Sequence, residues 1–281
     1  MKIISMINSK IQQAKQKTLY KEFLASGKKP WTPGYNTYKT QTITSNIDNK
    51  IFDVNHLVEG YGYRIDERII EYPWLFSKLP LGCGRLLDAG SALNFPYLLE
   101  REPLLSKELY ISTLSPEKCY FGEKKISYIF EDLRSSCFKS DFFDYIVSIS
   151  TIEHIGLDNT FLYTNDLTKK ENEPHTYLKA ILEFARMLTT GGRLFLTMPY
   201  GLHKNHGWFQ VFNSEMVDNV IDTFRPTTFE EYYFSYEPSG WVISSREESK
   251  NATCFDINVQ KEYDDDFAAF SRGLVCLELV K

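Results

Sequence analysis

The chain has 281 residues, a formal net charge of −5 at pH 7 and 43% hydrophobic residues. This length is long for one domain but fits a single α/β domain with extensions, and the apolar fraction is sufficient for a full core. The acidic balance argues against a nucleic acid as partner, because proteins that bind polyanions usually carry a basic surface. Five scattered cysteines without a Cys-x-x-Cys spacing predict reduced, mostly buried thiols in a cytoplasmic protein.

Residues 1–80 predict a helical N-terminal extension that covers the site of the following domain. Residues 1–23 favour an amphipathic helix, which packs either on the core or on a second subunit, so a homodimer stays open. Residues 35–51 are polar and indicate a loop or short strand, and Pro73 stops or kinks the next helix. No apolar run is long enough to cross a membrane, so no membrane insertion is expected.

Residues 81–281 alternate between apolar strands and helices, which predicts a parallel, doubly wound sheet. After Pro199 the pattern changes to two segments of strand character, 229–236 and 273–280. These two predict an antiparallel hairpin that closes the sheet. The predicted parallel strands lie at about 85–89, 108–113, 126–130, 143–149 and 193–198.

The most informative run is Leu86-Leu87-Asp88-Ala89-Gly90, a short apolar strand that ends in an acid and a glycine. Residues 91–94 follow, and a helix is expected from Phe95. A strand, a tight turn and a helix in this order present a nucleotide-like ligand to a helix N-terminus. The glycine permits the sharp turn and leaves room for a ligand beside the main chain.

Three later segments complete a pattern with this turn. A second strand-like segment ends at Glu131-Asp132, a third is led by Asp144, and a helix stops at Gly191-Gly192 before another apolar strand. In order and spacing, the region from Gly84 to Pro199 resembles class I S-adenosylmethionine-dependent methyltransferases. The resemblance implies an α/β, doubly wound, seven-stranded, mostly parallel sheet of the Rossmann-like methyltransferase type. It also implies S-adenosyl-L-methionine as the cofactor.

The resemblance further implies where the cofactor binds. Asp88 and Gly90 should lie under its methionine part, and the Asp132 carboxylate should take the adenine amino group beside the main chain of Leu133. The second strand lacks the usual terminal acid for the ribose hydroxyls, so Thr113 or its neighbour Ser115 would serve instead. The residues expected to bind the cofactor are Asp88, Gly90, Ser91, Asn94, Thr113, Asp132, Leu133 and Ser150.

The loop after the fourth strand is expected to face the transferred methyl group. It contains His154, a candidate general base for a hydroxyl acceptor, and Glu153, which is expected to orient it. The alternative is that His154 bonds to the backbone or lines the cofactor pocket. Tyr200, His203 and His206 are rival candidates for the base. His203 and His206 could also form a metal pair, which is not favoured. Arg64 and Arg68 are candidate partners of the cofactor carboxylate or of surface acids.

The methyl acceptor is the least determined feature. The chain lacks the Asn/Asp-Pro-Pro-Tyr element of methyltransferases that act on nucleic-acid bases. The runs at 60–68, 88–91 and 152–156 resemble methyltransferases that accompany bacterial surface-polysaccharide synthesis, which favours O-methylation of a sugar or nucleotide-linked sugar. The alternatives are another small acceptor (a phenol, amine or phosphoramidate) and a methyltransferase-like protein that binds without catalysis.

Overall fold

The computed structural model describes residues 2–117, 119–164, 166–256 and 259–281, with side chains from residue 14 onward. The α-helices are α1 (Lys2–Ala25), α2 (Tyr35–Asp48), α3 (Arg68–Lys78), α4 (Pro96–Leu99), α5 (Thr160–Tyr163), α6 (Tyr177–Met187) and α7 (Ser214–Phe224). The strands are β1 (Arg85–Ala89), β2 (Glu108–Thr113), β3 (Ser127–Phe130), β4 (Phe143–Ile149), β5 (Leu188–Pro199), β6 (Lys204–Asn205), β7 (Gln210–Val211), β8 (Thr228–Glu237), β9 (Gly240–Ser244) and β10 (Gly273–Val280).

The main sheet has the strand order β3-β2-β1-β4-β5-β10-β8-β9. Strands β1 to β5 pair in parallel, and β10 runs antiparallel between β5 and β8. The doubly wound α/β sheet and its antiparallel C-terminal strands confirm the predicted fold class. Strand order reverses between β1 and β4, which is where open α/β sheets form a crevice beyond the carboxyl ends of their strands.

The sheet carries eight strands among the described residues, one more than predicted. The additional strand is β9, which forms the edge and pairs antiparallel with β8 from Tyr233↔Ser244 to Glu237↔Gly240. The turn between them contains Pro238-Ser239, as the sequence indicated. Strands β6 and β7 form a separate two-stranded ribbon.

Helices cover both faces of the sheet and bury two hydrophobic clusters. On one face, α2 and α3 contribute Ile43 and Trp74 to a cluster that includes Phe195. On the other face, α6 and α7 contribute Phe184 and Val217 to a second cluster. Both helices of the second face are amphipathic, so each packs its apolar side against the apolar side chains of the sheet. The division of the chain at residue 80 stays a prediction.

The expectation of a loop or short strand at residues 35–51 is wrong, because this segment forms α2. Its apolar side chains recur at helical spacing, and Tyr35 and Ile43 are buried on one side of the helix. The many Thr and Asn residues hid this periodicity. Gly34 precedes the helix with φ 94°, and a Cβ there would lie 2.4 Å from the Leu19 carbonyl oxygen, so a glycine permits the close approach of α1.

Pro73 lies inside α3 and does not end it. Proline has no N–H, so the carbonyl four residues earlier, at Ile69, loses its usual helical donor. The Tyr61 hydroxyl donates to that carbonyl at 2.9 Å. A side-chain hydroxyl therefore replaces the missing bond, and the helix continues to Lys78.

No helix in the described part of the chain is long and apolar enough to cross a membrane. All five cysteines are free thiols. Cys83, Cys119 and Cys137 are exposed, whereas Cys254 and Cys276 are buried. The expectation that most of the thiols are buried is therefore wrong.

Candidate active site

A cleft of about 590 Å³ opens beyond the carboxyl ends of the parallel strands. Its walls are the β1 turn, the ends of β2 and β3, the loop after β4, and the segment 156–171. This is the position expected from the reversal of strand order between β1 and β4. The lining residues that the sequence singled out are Gly90, Thr113, Ser115, Asp132, Leu133 and His154.

Asp88, at the end of β1, is fully buried and holds the turn that follows it. Its carboxylate accepts hydrogen bonds from the backbone N–H of Ala92 at 3.1 Å and of Leu93 at 2.8 Å. Burial raises the pKa of Asp88 to about 7, although these two N–H groups favour its charged form. Asp88 is thus the cap of the turn and is not among the lining residues of the cleft.

Gly90 has φ 118°, a conformation that favours glycine. A Cβ at this position would lie 2.2 Å from Oγ1 of Thr151, which belongs to the loop after β4. The glycine therefore lets the β1 turn and the β4 loop meet at the floor of the cleft. The sequence indicated that Gly90 leaves room for a ligand. In the structure, a side chain at this position would first collide with Thr151.

Three further residues expected to bind the cofactor are not among the lining residues of the cleft. Ser91 has φ 61°, and its hydroxyl is buried without a hydrogen-bond partner among the described residues. The Asn94 side chain joins Glu117 and Tyr128 at 2.9 and 3.0 Å. The Ser150 hydroxyl donates to Glu71. Their roles toward a cofactor stay predictions.

Asp132 lines the cleft two residues after Phe130, the last residue of β3. Both of its oxygens accept from the Arg134 guanidinium at 2.6 to 3.0 Å. Burial acts to raise the pKa of Asp132, but Arg134 outweighs it and holds the pKa below its ordinary value. Arg134 also contacts both oxygens of Glu171 at 2.7 Å. The chain Asp132–Arg134–Glu171 therefore connects the β3 end to the cleft wall formed by segment 156–171.

Glu131, which also lines the cleft, is occupied by its own neighbours. Its carboxylate accepts from the Ser136 hydroxyl at 2.8 Å and from the Cys137 N–H at 2.8 Å. Thr113, at the end of β2, is buried against the same wall. Thr113 therefore lines the cleft at the end of β2, and its role toward the ribose stays a prediction.

His154 ends the short 3₁₀ turn after β4 and lines the cleft. Its Nδ1 lies 2.9 Å from the Trp208 carbonyl oxygen, which only accepts hydrogen bonds, so Nδ1 carries the proton and Nε2 has the free lone pair. Burial lowers the pKa of His154 to about 4, so the imidazole is neutral at pH 7. The Trp208 carbonyl is the group that orients the ring.

Glu153, which was expected to orient His154, makes no hydrogen bond to it. Its Oε1 is 3.9 Å from Nε2 of His154, and its Oε2 is buried without a hydrogen-bond partner among the described residues. Burial raises the pKa of Glu153 well above its ordinary value, with Glu71 acting in the same direction and Arg68 opposing. Glu153 is thus an unsatisfied acid beside the free nitrogen of His154.

Glu71 was missed by sequence reasoning and is the best-connected buried acid near the β4 loop. It accepts from the Thr197 hydroxyl at 2.6 Å, from the Ser150 hydroxyl and from the Arg68 guanidinium. Ser150 has φ 39°, a strained conformation at the exit from β4. Glu71 therefore ties α3 to the carboxyl ends of β4 and β5. The sequence signal that could have pointed to Glu71 is its position one helical turn after Arg68.

The rival bases lie elsewhere or are occupied. The Tyr200 hydroxyl donates to the Arg246 carbonyl at 2.9 Å. His203 meets the Val211 carbonyl through Nδ1 at 2.8 Å. His206 is buried, with Nδ1 2.8 Å from Asp256 and its ring stacked on Phe209.

The two arginines differ in what they contact. Arg64 donates to the Gly27 carbonyl and lies over the Phe267 ring, away from the lining of the cleft. Arg68 forms a salt bridge with Glu71, and about a quarter of its side chain remains exposed. Arg68 thus keeps donors available for a further acidic group.

No protein-family model matches the sequence, and no curated protein matches it. Solved structures resemble it distantly. A SAM-dependent methyltransferase from Archaeoglobus fulgidus shares 12% identity over 78% of this chain and 96% of its own, with a TM-score of 0.47. Phosphoethanolamine N-methyltransferase 2 from Haemonchus contortus, solved with phosphomonomethylethanolamine and S-adenosylhomocysteine, shares 15% identity over 86% of this chain and 58% of its own, with a TM-score of 0.46.

Proposed function

We propose that this protein is an S-adenosylmethionine-dependent methyltransferase that methylates a hydroxyl group of a sugar or nucleotide-linked sugar. The observation that carries the proposal is the pairing of two features at one cleft. An acid, Asp132, follows β3, and a neutral histidine with a free Nε2, His154, follows β4. The first suits an adenine amine, and the second suits a proton that leaves a hydroxyl.

The residues of the cleft fit this cofactor chemically. Asp132 offers a carboxylate to the adenine amine, and Thr113 offers a hydroxyl to the ribose. Arg68, which is partly exposed but is not among the lining residues of the cleft, offers a guanidinium to the methionine carboxylate. When bound, the cofactor supplies an electrophilic methyl group, and the protein contributes alignment and a base.

His154 is arranged to take a proton at Nε2. The carbonyl of Trp208 fixes the tautomer, and the low pKa keeps Nε2 unprotonated across neutral pH. A base with a pKa near 4 is weak, so it serves best for a proton that leaves as the new C–O bond forms. The Glu71 contacts with Ser150 and Thr197 hold the β4 exit that carries this histidine.

The test is a transfer assay with methyl-labelled S-adenosylmethionine and a panel of nucleotide-linked sugars, free glycans, phenols and amines. The proposal expects label in a sugar or its nucleotide-linked form and loss of that label in His154→Ala. Transfer only to an amine or phenol would contradict the hydroxyl-sugar acceptor while retaining the methyltransferase activity. Cofactor binding without transfer to any acceptor would favour a binding protein.

A further inference from the structure

One wall of the cleft is a short exposed strap, residues 166–172. Its residues 168–171 line the cleft. The strap contains one 3₁₀ turn, Leu167–Lys169, and every residue from 166 to 170 is exposed. Leu167 is 67% exposed, so the apolar side chain of the turn does not anchor the strap in a core.

The part of the loop that precedes the strap is anchored to the rest of the chain. Leu157 is buried, and the Asp158 N–H donates to the Gly207 carbonyl at 3.0 Å. The Glu173 N–H donates to the Gly156 carbonyl at 2.7 Å and closes the base of the loop. The strap therefore extends from a fixed base and lies beside a fixed arm.

Two ion pairs connect the strap to these fixed parts. Nζ of Lys170 lies 2.9 Å from the Asp158 carboxylate, and the Arg134 guanidinium contacts both oxygens of Glu171 at 2.7 Å. The four side chains are between 22% and 53% exposed. Partly exposed ion pairs contribute little to stability and are weakened by salt, so they permit the strap to detach.

Arg134 also connects the strap to the end of β3. Its Nη2 lies 2.6 Å from Oδ2 of Asp132 and 2.7 Å from Oε1 of Glu171. A ligand that donates to an Asp132 oxygen competes with this guanidinium and changes the group that holds Glu171. Ligand binding at Asp132 and the position of the strap are therefore linked through one side chain.

We propose that residues 166–172 open and close over the cleft, and that Arg134 is the latch. In the closed state, Arg134 joins Asp132 to Glu171. In the open state, the ion pairs of Glu171 and Lys170 are broken, and the strap pivots at its base. Opening admits a ligand, and closing brings residues 168–171 against it. This device goes beyond the proposed function and does not depend on the identity of the ligand.

Distances between two spin labels test the latch in the full chain without any ligand. One label is attached at Leu167→Cys on the strap and the other at Leu182→Cys on α6, both at exposed side chains. The exposed native thiols are replaced by serine at Cys83, Cys119 and Cys137. Pulsed electron paramagnetic resonance then gives the populations of the closed and open strap.

Variants and salt should shift these populations. Glu171→Gln should raise the ratio of open to closed strap by about fivefold, the factor for an ion pair worth about 1 kcal/mol. Salt at about 1 M should act in the same direction, because it screens both pairs. Asp218→Asn is the matched control, since it breaks a partly exposed pair with Arg246 that does not line the cleft, and it should leave the distances unchanged.

The kinetics of ligand binding test whether the strap is a gate. With S-adenosylhomocysteine as the probe, stopped-flow measurements of Glu171→Gln should show faster association and faster dissociation, each by up to about fivefold. A strap that opens more often both admits and releases the ligand more often. Unchanged rates in this variant would overturn the gate.

The failures of the two proposals are distinguishable. Identical distances in the parent protein, in Glu171→Gln and at high salt would overturn the strap, and the proposed function survives this result if S-adenosylhomocysteine binds. Distances that shift with the variant and with salt, in a protein that binds neither S-adenosylhomocysteine nor S-adenosylmethionine, would retain the latch and refute the proposed function.

Discussion

The β1–β3 side of the site and the region around His154 differ in how their acids are satisfied. At the β1 turn and the end of β3, Asp88 and Asp132 both have protein partners. Beside His154, Glu153 Oε2 and Trp208 Nε1 are buried without partners among the described residues, and neither residue lines the cleft. The acids of the first region are held by their own contacts, whereas Glu153 retains unmet hydrogen-bonding capacity.

This difference indicates which substitutions should alter the stability of the fold and which should alter ligand binding. A substitution of Asp88 or Asp132 removes an internal partner along with any ligand contact. A substitution of Glu153, whose Oε2 has no partner among the described residues, breaks fewer internal bonds. Substitutions in the two regions should therefore differ in their effects on stability and on binding.

His154→Ala should slow methyl transfer by about 10²–10⁴-fold, the usual contribution of a general base, without changing the Kd for S-adenosylhomocysteine. Because burial lowers the pKa of His154 to about 4, the rate of the parent protein should be flat from pH 6 to 8, a window set by that value, and fall only near pH 4. Rate–pH profiles check both statements. Near-normal turnover in the variant would place the base elsewhere.

Glu71→Ala should lower the free energy of unfolding by about 3–5 kcal/mol, because it leaves Arg68 without its buried partner. Urea denaturation measures the change. Glu230→Ala, which breaks a mostly exposed ion pair with Lys78, is the control and should cost less than about 1 kcal/mol. Equal effects of the two substitutions would show that Glu71 does not hold α3 to the sheet.

Asp132→Ala should weaken cofactor binding by about 1–3 kcal/mol, through loss of a charge-assisted hydrogen bond. Glu171→Gln is the matched change on the far side of Arg134, which spares the Asp132 carboxylate. It should weaken cofactor binding by less than about 1 kcal/mol, the range of a partly exposed ion pair. Calorimetric titration compares them, and an unchanged Kd for Asp132→Ala would make Asp132 only a partner of Arg134.

Stability should fall as the pH rises above neutral. Burial, with Asp66 and Glu71 nearby, raises the pKa of Glu67 from 4.5 to about 8. The folded state therefore binds a proton that the unfolded state has released, so this stabilisation is full below pH 4.5 and is lost as the pH passes 8.

Glu67→Gln should remove part of that alkaline loss, on the order of 2 kcal/mol. Urea titrations at pH 6 and pH 9, two values that bracket the folded pKa, measure it. The two proteins should differ in the slope of stability against pH. Parallel pH curves for the parent and the variant would assign the alkaline loss to other groups.

The fold was predictable because its signals are local. Each predicted parallel strand lies close to an observed one, since apolar runs bounded by turns are visible without knowledge of the tertiary structure. The helix α2 was missed because its Thr- and Asn-rich composition concealed the buried positions Tyr35 and Ile43. Pro73 appeared to stop a helix because its compensating partner, the Tyr61 hydroxyl, lies outside that helix.

The site was predictable only in part. Asp132 and His154 follow strand ends, and the carboxyl ends of parallel strands share one edge of the sheet, so their common cleft could be inferred. The partner that orients His154 could not be inferred, because it is a main-chain carbonyl of Trp208, 54 residues away. Any residue type supplies such a carbonyl, so no side-chain pattern marks it.

The proposed function requires that the cleft binds S-adenosylmethionine. Isothermal titration calorimetry of the full chain with S-adenosylmethionine, S-adenosylhomocysteine and NAD tests it most directly. A single site with micromolar Kd for S-adenosylhomocysteine, weakened in Asp132→Ala, is the expected result. Clear heat with NAD and none with either methyltransferase ligand would contradict the claim.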